Sequence, residues 1–370
     1  MNIIIFSNEF FNISNFRYDL ILKILKKFPK SKLIIAAKFD GYELLINKYK
    51  DRVKLINLKI DSRNYNLIKN IVTLISIIKC LLIYRPKLVI SYTIKPNFFV
   101  CLTKYLFKFN LISNITGLGD VFLNKNKKNK IIFFLYSHLL KKSDTIVCQN
   151  INDANTLSKL NPNISKKIHL IPGSGVNSLN FKFKKISKVS NFNFTFIGRI
   201  IKEKGILEFI HAAIKFNRVY PNKAKFLIIG TKYKDNKKFN DAFNRYINVS
   251  KIKYIHNSNK VSKYITDSNF IVLPSYREGL SKVLTESMSI GRPIITTDVP
   301  GCKELVKNNI NGFLIKKNSS DEIFKVLKRA IKLNFPELQI MGNKSYFMSK
   351  MYSEENINLK YTLLIGKYIN

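Results

Sequence analysis

Short runs of β-branched and aromatic residues alternate along this chain with longer stretches in which apolar residues recur every three or four positions. The first series of candidate strands is NIIIFS (2–7), KLIIAA (32–37), VKLIN (53–57), KLVISY (87–92), LISNIT (111–116), TIVCQN (145–150) and IHLIP (168–172). Helical patterns fill most of the gaps, as in FRYDLILKILKKF, where Leu20, Ile21, Ile24 and Leu25 share one face. Strand, helix, strand in sequence predicts a parallel sheet covered on both faces. After IPGSGVNSLNFKFKKISKVSN the alternation restarts with FNFTFIG (192–198), KFLIIG (225–230), IKYI (252–255), NFIVLP (269–274), RPIITT (292–297) and GFLIK (312–316). The Pro, Gly, Ser and Lys-rich stretch between the series reads as a linker hinged near 173–190. The fold class expected is therefore α/β, with two doubly wound Rossmann-like domains whose strand C-termini face one interdomain cleft. Residues 1–173 form the first domain and 174–345 the second. Residues 346–370 read as an apolar-striped helix that packs back on the first domain.

Length agrees with two domains, because single cores rarely grow past about 250–300 residues and this chain has 370. An apolar content of 46% excludes a disordered chain. Cys80, Cys101, Cys148 and Cys302 have neither metal-type nor CxxC spacing and read as reduced and buried, so no metal is expected. The apolar run LIKNIVTLISIIKCLLIY is interrupted by Lys69, Asn70 and Lys79 and fails as a spanning helix, and MNIIIFSNEF reads as a strand rather than a leader. A cytoplasmic protein, soluble or peripheral on the inner face of the cytoplasmic membrane, is expected.

The net charge of +41 raises the question of nucleic acid. Lys and Arg outnumber Asp and Glu by 20 in residues 1–173 and by 21 in residues 174–370, so the excess is even rather than clustered. Such a spread, with abundant Asn and Ile, fits a compositional bias better than a nucleic-acid patch. An anionic membrane surface would still attract the chain. The segment 125–142, KNKKNKIIFFLYSHLLKK, places lysines before an aromatic-rich run that could dock on anionic lipid, or that simply packs on the sheet.

Two constellations carry chemistry. In PSYREGLSKVLTESMSIGRPIITTD (274–298) a strand runs into a turn, and a helix follows that ends at Gly291. With Ser281 as its cap, the first-turn amides and the positive end of the dipole form an anion site. Glu278 lies just outside it and Glu286 about five residues inside, roughly 7.5 Å along the axis. Ionised carboxylates accept charge-assisted hydrogen bonds from vicinal hydroxyls. Two of them flanking an anion site suit a sugar, a diphosphate and a ribose in series, which is the form of a nucleotide sugar. Two solvated helix-end glutamates are the alternative. The second constellation is FIGRIIKEKG: Gly198 ends a strand and permits close approach of a ligand, and Arg199 and Lys204 follow at the same rim. Two fixed cations can neutralise a diphosphate leaving group as a glycosidic bond breaks. A solvated basic loop is the alternative.

GRIIKEKG, SYREGLSKVLTESMSIGRPIITTDVPGCKELV and NGFLI together resemble the donor-binding half of glycosyltransferase family 4, retaining enzymes of the GT-B fold, over most of residues 190–320. The resemblance includes the seven-residue gap between Glu278 and Glu286. IPGSGVN is similar to the interdomain connection, while SYTIKPN and NITGLGDVF resemble the subgroup that builds bacterial surface polysaccharides or glycans on polyprenyl diphosphate. The resemblance implies that Arg199 and Lys204 hold the donor diphosphate, with the amides of Gly279, Leu280 and Ser281 assisting. It gives Glu286 the ribose hydroxyls and Glu278 the transferred sugar. It implies no cofactor beyond a nucleotide-sugar co-substrate, a UDP-sugar by preference, and a metal-independent transfer to a glycan or lipid-linked glycan acceptor.

The first domain departs from the commoner family pattern. Its first loop, SNEFFNISNFR, lacks glycine, and the later segment carries Thr93 and Lys95 in place of a histidine, so no catalytic histidine is carried over. His138, in an apolar helix, reads as a satisfied structural residue. Lys95 is either a contact for an acceptor phosphate or a surface lysine, and ITGLGD reads as a tight loop rather than a dinucleotide fingerprint. The expected function is a retaining glycosyltransferase, with domain closure excluding water. A nucleotide-sugar epimerase on the same fold and a basic nucleic-acid-binding protein are the alternatives.

Overall fold

A computed structural model describes residues 1–41, 43, 52–61, 66–119, 127–188, 191–232 and 236–369, with the backbone alone for 127–129. The chain divides into two compact units, residues 1–175 with 354–370 and residues 176–353. Residues 346–353, expected with the terminal helix, thus belong to the second unit.

The first unit is a seven-stranded parallel sheet in the order β3-β2-β1-β4-β5-β6-β7. Its strands are β1 (Asn2–Glu9), β2 (Lys32–Lys38), β3 (Val53–Asn57), β4 (Leu88–Tyr92), β5 (Asn110–Ile115), β6 (Thr145–Cys148) and β7 (Ile168–Leu170). Central strands buried on both faces read as continuous apolar runs, and β1 and β4 are of this kind. Ile4 of β1 sits in register with Ile34 on one side and Val89 on the other. One face is covered by α1 (Phe10–Phe16) and α2 (Tyr18–Lys27). The other is covered by α3 (Leu67–Tyr84), α4 (Ile94–Thr103), α5 (Lys127–Leu139) and α6 (Ile151–Leu160).

The second unit is a six-stranded parallel sheet in the order β10-β9-β8-β11-β12-β13. Its strands are β8 (Phe192–Ile197), β9 (Ala224–Ile229), β10 (Ile252–Ile255), β11 (Phe270–Leu273), β12 (Ile294–Thr297) and β13 (Gly312–Ile315). A row of phenylalanines fills its core: Phe194 stacks on Phe226 at 5.6 Å and on Phe270 at 5.7 Å, and Phe270 stacks on Phe313 at 5.9 Å. The helices are α7 (Ile206–Val219), α8 (Lys237–Val249), α9 (Val261–Thr266), α10 (Lys282–Ile290), α11 (Ser320–Ala330) and α12 (Phe335–Ser349).

The last helix, α13 (Glu354–Ile369), returns to the first unit. Ile357, Tyr361, Leu364 and Ile365, at helical spacing, are buried against the α1–α2 face. Tyr361 donates to Asn114 Oδ1 at 2.9 Å, and the Tyr368 hydroxyl lies 2.6 Å from that of Thr145. Each such aliphatic side chain contributes about 1.5–3 kcal/mol by burial, so the tail is an integral part of the unit's core.

Candidate functional site

In both sheets the strand order reverses once, between β1 and β4 and between β8 and β11. Open parallel sheets bind ligands at such a point, beyond the strand C-termini, because the two loops there diverge and leave a crevice. In the second unit those loops are Gly198–Gly205 after β8 and Pro274–Ser281 after β11, the two constellations singled out in the sequence.

They are tied together by charge. Lys204, at the end of a short 3-10 turn, forms an ion pair with Glu278 Oε1, which also accepts from the Ser275 hydroxyl at 2.7 Å. Both partners are about 15% exposed, with side chains at 16% and 14%, so water screens the pair weakly. The Tyr276 amide donates to Glu203 O at 2.8 Å and its hydroxyl to Glu208 Oε1 at 2.5 Å, holding the second loop against the first. Arg199 is exposed at the rim.

Glycine makes this approach feasible. Gly205 adopts φ +68°, and a Cβ there would lie 2.1 Å from Pro274 O. Gly301, at φ +80°, would meet Glu278 O at 2.3 Å. The turn it occupies accepts from the Glu278 amide at Pro300 O (3.0 Å) and from the Ser281 amide at Gly301 O (3.1 Å). Glu304 Oε2 in turn accepts from the Gly301 amide at 2.8 Å. Gly205→Ala and Gly301→Ala are each expected to destabilise the fold by at least about 2 kcal/mol, read as a lowered urea midpoint. At Gly198 the nearest atoms to an added Cβ are 3.6 Å away, so Gly198→Ala should leave that midpoint unchanged.

The helix after the turn is α10, and Ser281 stands at its N-cap position. Its hydroxyl makes no capping bond among the described residues, and its amide is committed to Gly301. The expected role of Ser281 as cap and phosphate ligand is therefore revised: the turn 299–301 fixes the helix start instead. The side chain of Leu280 packs against the core. Five residues into the sequence after Ser281, Glu286 is 9% exposed, and burial pushes its carboxyl up to about 7 against a smaller opposing pull from Lys282. A carboxyl held near neutrality in this way ionises readily when a ligand donates hydrogen bonds to it. Glu278 and Glu286 thus differ: the first is ion-paired at the rim, and the second is buried, with the pull of Lys282 outweighed by burial. A recess of about 610 Å³ bordered by Asn193, Arg218 and Lys251 lies at the other end of the strands, away from these residues.

In the first unit the segments SYTIKPN and NITGLG follow the paired strands β4 and β5. Thr93 has φ +72° and ψ 160°, a conformation L-residues avoid, and its hydroxyl donates to Tyr92 O at 2.5 Å. A Cβ on Gly119 would lie 3.7 Å from Ile94, which brings the two loops side by side. Asp120, Val121 and Phe122 lie outside the described residues. Lys95 Nζ donates to Asp61 O at 2.5 Å, and burial lowers the pKa of its ammonium, so it is not a plain surface lysine. His138 is exposed, and its Nδ1 lies 3.1 Å from Phe134 O with its ring 4.2 Å from that of Phe134, so it is satisfied within its own helix as expected. Arg17, between α1 and α2, escaped the sequence reading. It is 5% exposed, lies 4.8 Å over the Tyr92 ring and donates to Phe16 O at 2.8 Å. A charged residue interrupting an apolar helical pair was the signal available.

Residues 178–347 match the family described as glycosyl transferases group 1. The chain is 33% identical over 175 residues to an uncharacterized glycosyltransferase of Haemophilus influenzae, covering 47% of this chain and 48% of that protein. The chain therefore spans about half the length of that relative. It is 27% identical over 286 residues, 72% of each chain, to the UDP-Gal:alpha-D-GlcNAc-diphosphoundecaprenol alpha-1,3-galactosyltransferase of Escherichia coli. Among solved structures, Anabaena HepE in complex with UDP and glucose superposes with a TM-score of 0.80 at 13% identity, over 99% of both chains. Two parallel-sheet units, motifs gathered at the reversal point of the second sheet, and these likenesses lead to one assignment: the chain has the two-unit GT-B fold, and its residues 178–347 match the glycosyl transferases group 1 family.

Proposed function

We propose that the protein transfers a hexosyl or N-acetylhexosaminyl group from a UDP-sugar to a glycan acceptor carried on polyprenyl diphosphate, with retention of anomeric configuration. The observation that carries this reading is the joining of Lys204 and Glu278 at the reversal point of the second sheet, beside the start of α10 and the buried Glu286. Arg199, Lys204 and the positive end of the α10 dipole meet the diphosphate. Gly198 lets the ligand approach the backbone, with Gly279 and Leu280 lining the turn. Glu286 accepts from the ribose hydroxyls and Glu278 from the hydroxyls of the transferred sugar.

The bond between the anomeric carbon and the β-phosphate oxygen breaks as the acceptor oxygen bonds to the same face of that carbon. The acceptor proton passes to the departing phosphate oxygen, so no enzyme nucleophile is required. Lys204 and Arg199 stabilise the negative charge that builds on the diphosphate. The E. coli relative's name pairs a UDP-sugar with a diphosphoundecaprenol acceptor, which supports both halves of the reading. In the first unit, Lys95 and the strained Thr93 are the residues assigned to the acceptor diphosphate, at the inner face of the cytoplasmic membrane.

The test incubates the full chain with UDP-glucose, UDP-galactose and their N-acetylamino counterparts, together with a polyprenyl-diphosphate-linked monosaccharide. Mass spectrometry and one-bond carbon–proton coupling of the product then give the linkage. An α-linked disaccharide from one donor is expected. A β-linked product would overturn retention, and turnover of donor without acceptor would mean an epimerase.

A further inference from the structure

The outward face of α3 is apolar where a surface helix is normally polar. Thr73, Ile77, Cys80 and Leu81 point into the core, while Ile68 (72% exposed), Ile71, Val72, Ile75, Leu82 and Ile83 (69%) form the opposite stripe. Single exposed aliphatics are ordinary, but a continuous patch is not. α4 packs beside α3 and α5 beside α4, and these helices expose Leu102 on α4, Tyr105 and Leu106 just after it, and Ile131, Phe134 and Leu135 on α5.

By length and apolar composition α3 could cross a membrane. The fold excludes that for the assembled unit, because α3 joins β3 to β4 of one sheet, and Thr73 donates to Lys59 O at 2.9 Å outside the helix. What remains is a helix lying along a surface.

Charge selects the occupant. Residues 62–143 contain fourteen Lys and Arg and one acidic residue, Asp120, while the flanking Asp61 and Asp144 pair with Lys69 at 3.3 Å and with Lys104 at 2.5 Å and so offset two of those charges. Lys69 and Lys79 lie on α3, Lys108 and Lys130 are exposed around the patch, and the Lys142 ammonium sits 3.9 Å over the Tyr105 ring. The even excess of charge along the whole chain hides this local near-absence of carboxylates. Two copies of this face would repel one another, and a nucleic acid would gain nothing from the aliphatic stripe. We infer that the α3–α4–α5 face of the first unit docks on an anionic lipid bilayer, with the outer stripe of α3 at the boundary between headgroups and acyl chains and the lysines on the headgroups. This goes beyond the transfer reaction and rests on the first unit alone.

The chain has no tryptophan, so one introduced residue reports its own surroundings. Ile75→Trp is compared with Val249→Trp, whose site on the second unit is 79% exposed. The full chain is mixed with vesicles of phosphatidylglycerol and phosphatidylcholine, with and without brominated acyl chains. Ile75→Trp should shift to the blue and be quenched by brominated lipid, while Val249→Trp should not. Lys69→Gln with Lys79→Gln should weaken vesicle partition by about tenfold or more, and pure phosphatidylcholine should bind poorly. Equal quenching of both tryptophans, or of neither, would overturn the proposal. A concentration-dependent blue shift of Ile75→Trp without vesicles would do the same, since a second copy would then cover the face. Loss of transfer activity with vesicle docking intact would bear on the proposed reaction and not on this surface.

Discussion

Lys204→Ala should lower the rate of sugar transfer by about 10²–10³-fold, the effect of removing one preorganised group aimed at charge that develops in the transition state. Lys204 sits on the 3-10 turn after β8 and is 16% exposed, so its charge acts in a poorly screened place. Without it, Glu278 retains Ser275 as its partner at 2.7 Å, and the loss of a charge-assisted bond should cost about 1.5–3 kcal/mol of stability. The two effects separate in the double variant. Glu278→Gln removes the orphaned charge, so Lys204→Ala with Glu278→Gln should regain part of the melting temperature and none of the rate. A double variant that recovers both would make the pair a structural tie alone.

Glu286→Gln should move stability and donor binding in opposite directions. Burial raises the folded-state pKa of Glu286 from its ordinary value of 4.5 to about 7. Between those values the folded chain keeps a proton that the unfolded chain has released, so the wild type loses stability as pH rises through that window, by about 3 kcal/mol in all. Glutamine has no such proton. The variant should match the wild type near pH 4.5 and exceed it in melting temperature at pH 8, with the gap opening between pH 5 and 7. Nucleotide affinity should fall by about 10–100-fold, because the amide lacks the charge that ribose hydroxyls would meet. Since those hydroxyls favour the ionised carboxylate, wild-type affinity should also rise with pH between 6 and 8, and the variant's should stay flat. Titration calorimetry and thermal unfolding across that range read both effects.

The thirteen strands of the described residues lie where the alternation of apolar runs puts them, because parallel strands buried on both faces leave an unmistakable continuous signal. The candidate site was legible as two separate stretches. Their joining was not, since the Lys204–Glu278 pair spans 74 residues and depends on β8 and β11 being neighbours. Nor does sequence spacing reveal burial: Glu278 and Glu286 look alike in sequence, yet one lies at the rim and the other in a helix buried continuously from Leu284 to Ile290. Gly301 and Glu304 were missed because their work is to hold another loop's backbone. Ser281 misled for a related reason: a serine before a helix suggests a side-chain cap, and here the turn at Pro300–Gly301 takes its amide. Arg17 left only one signal, a charge between two apolar helical runs, and nothing in the sequence sets it against Tyr92.

The most direct measurement of the central claim is saturation-transfer NMR on the purified chain with UDP-, GDP- and CMP-sugars, repeated on Glu286→Ala and Arg199→Ala. A donor site at the reversal point of the second sheet requires that one nucleotide sugar, a UDP-sugar by this account, receives saturation from the wild type, strongest on its ribose and sugar protons. Both variants should lose the signal while remaining folded. A folded wild type that binds none of these nucleotide sugars, or one whose binding survives both substitutions, would contradict the account.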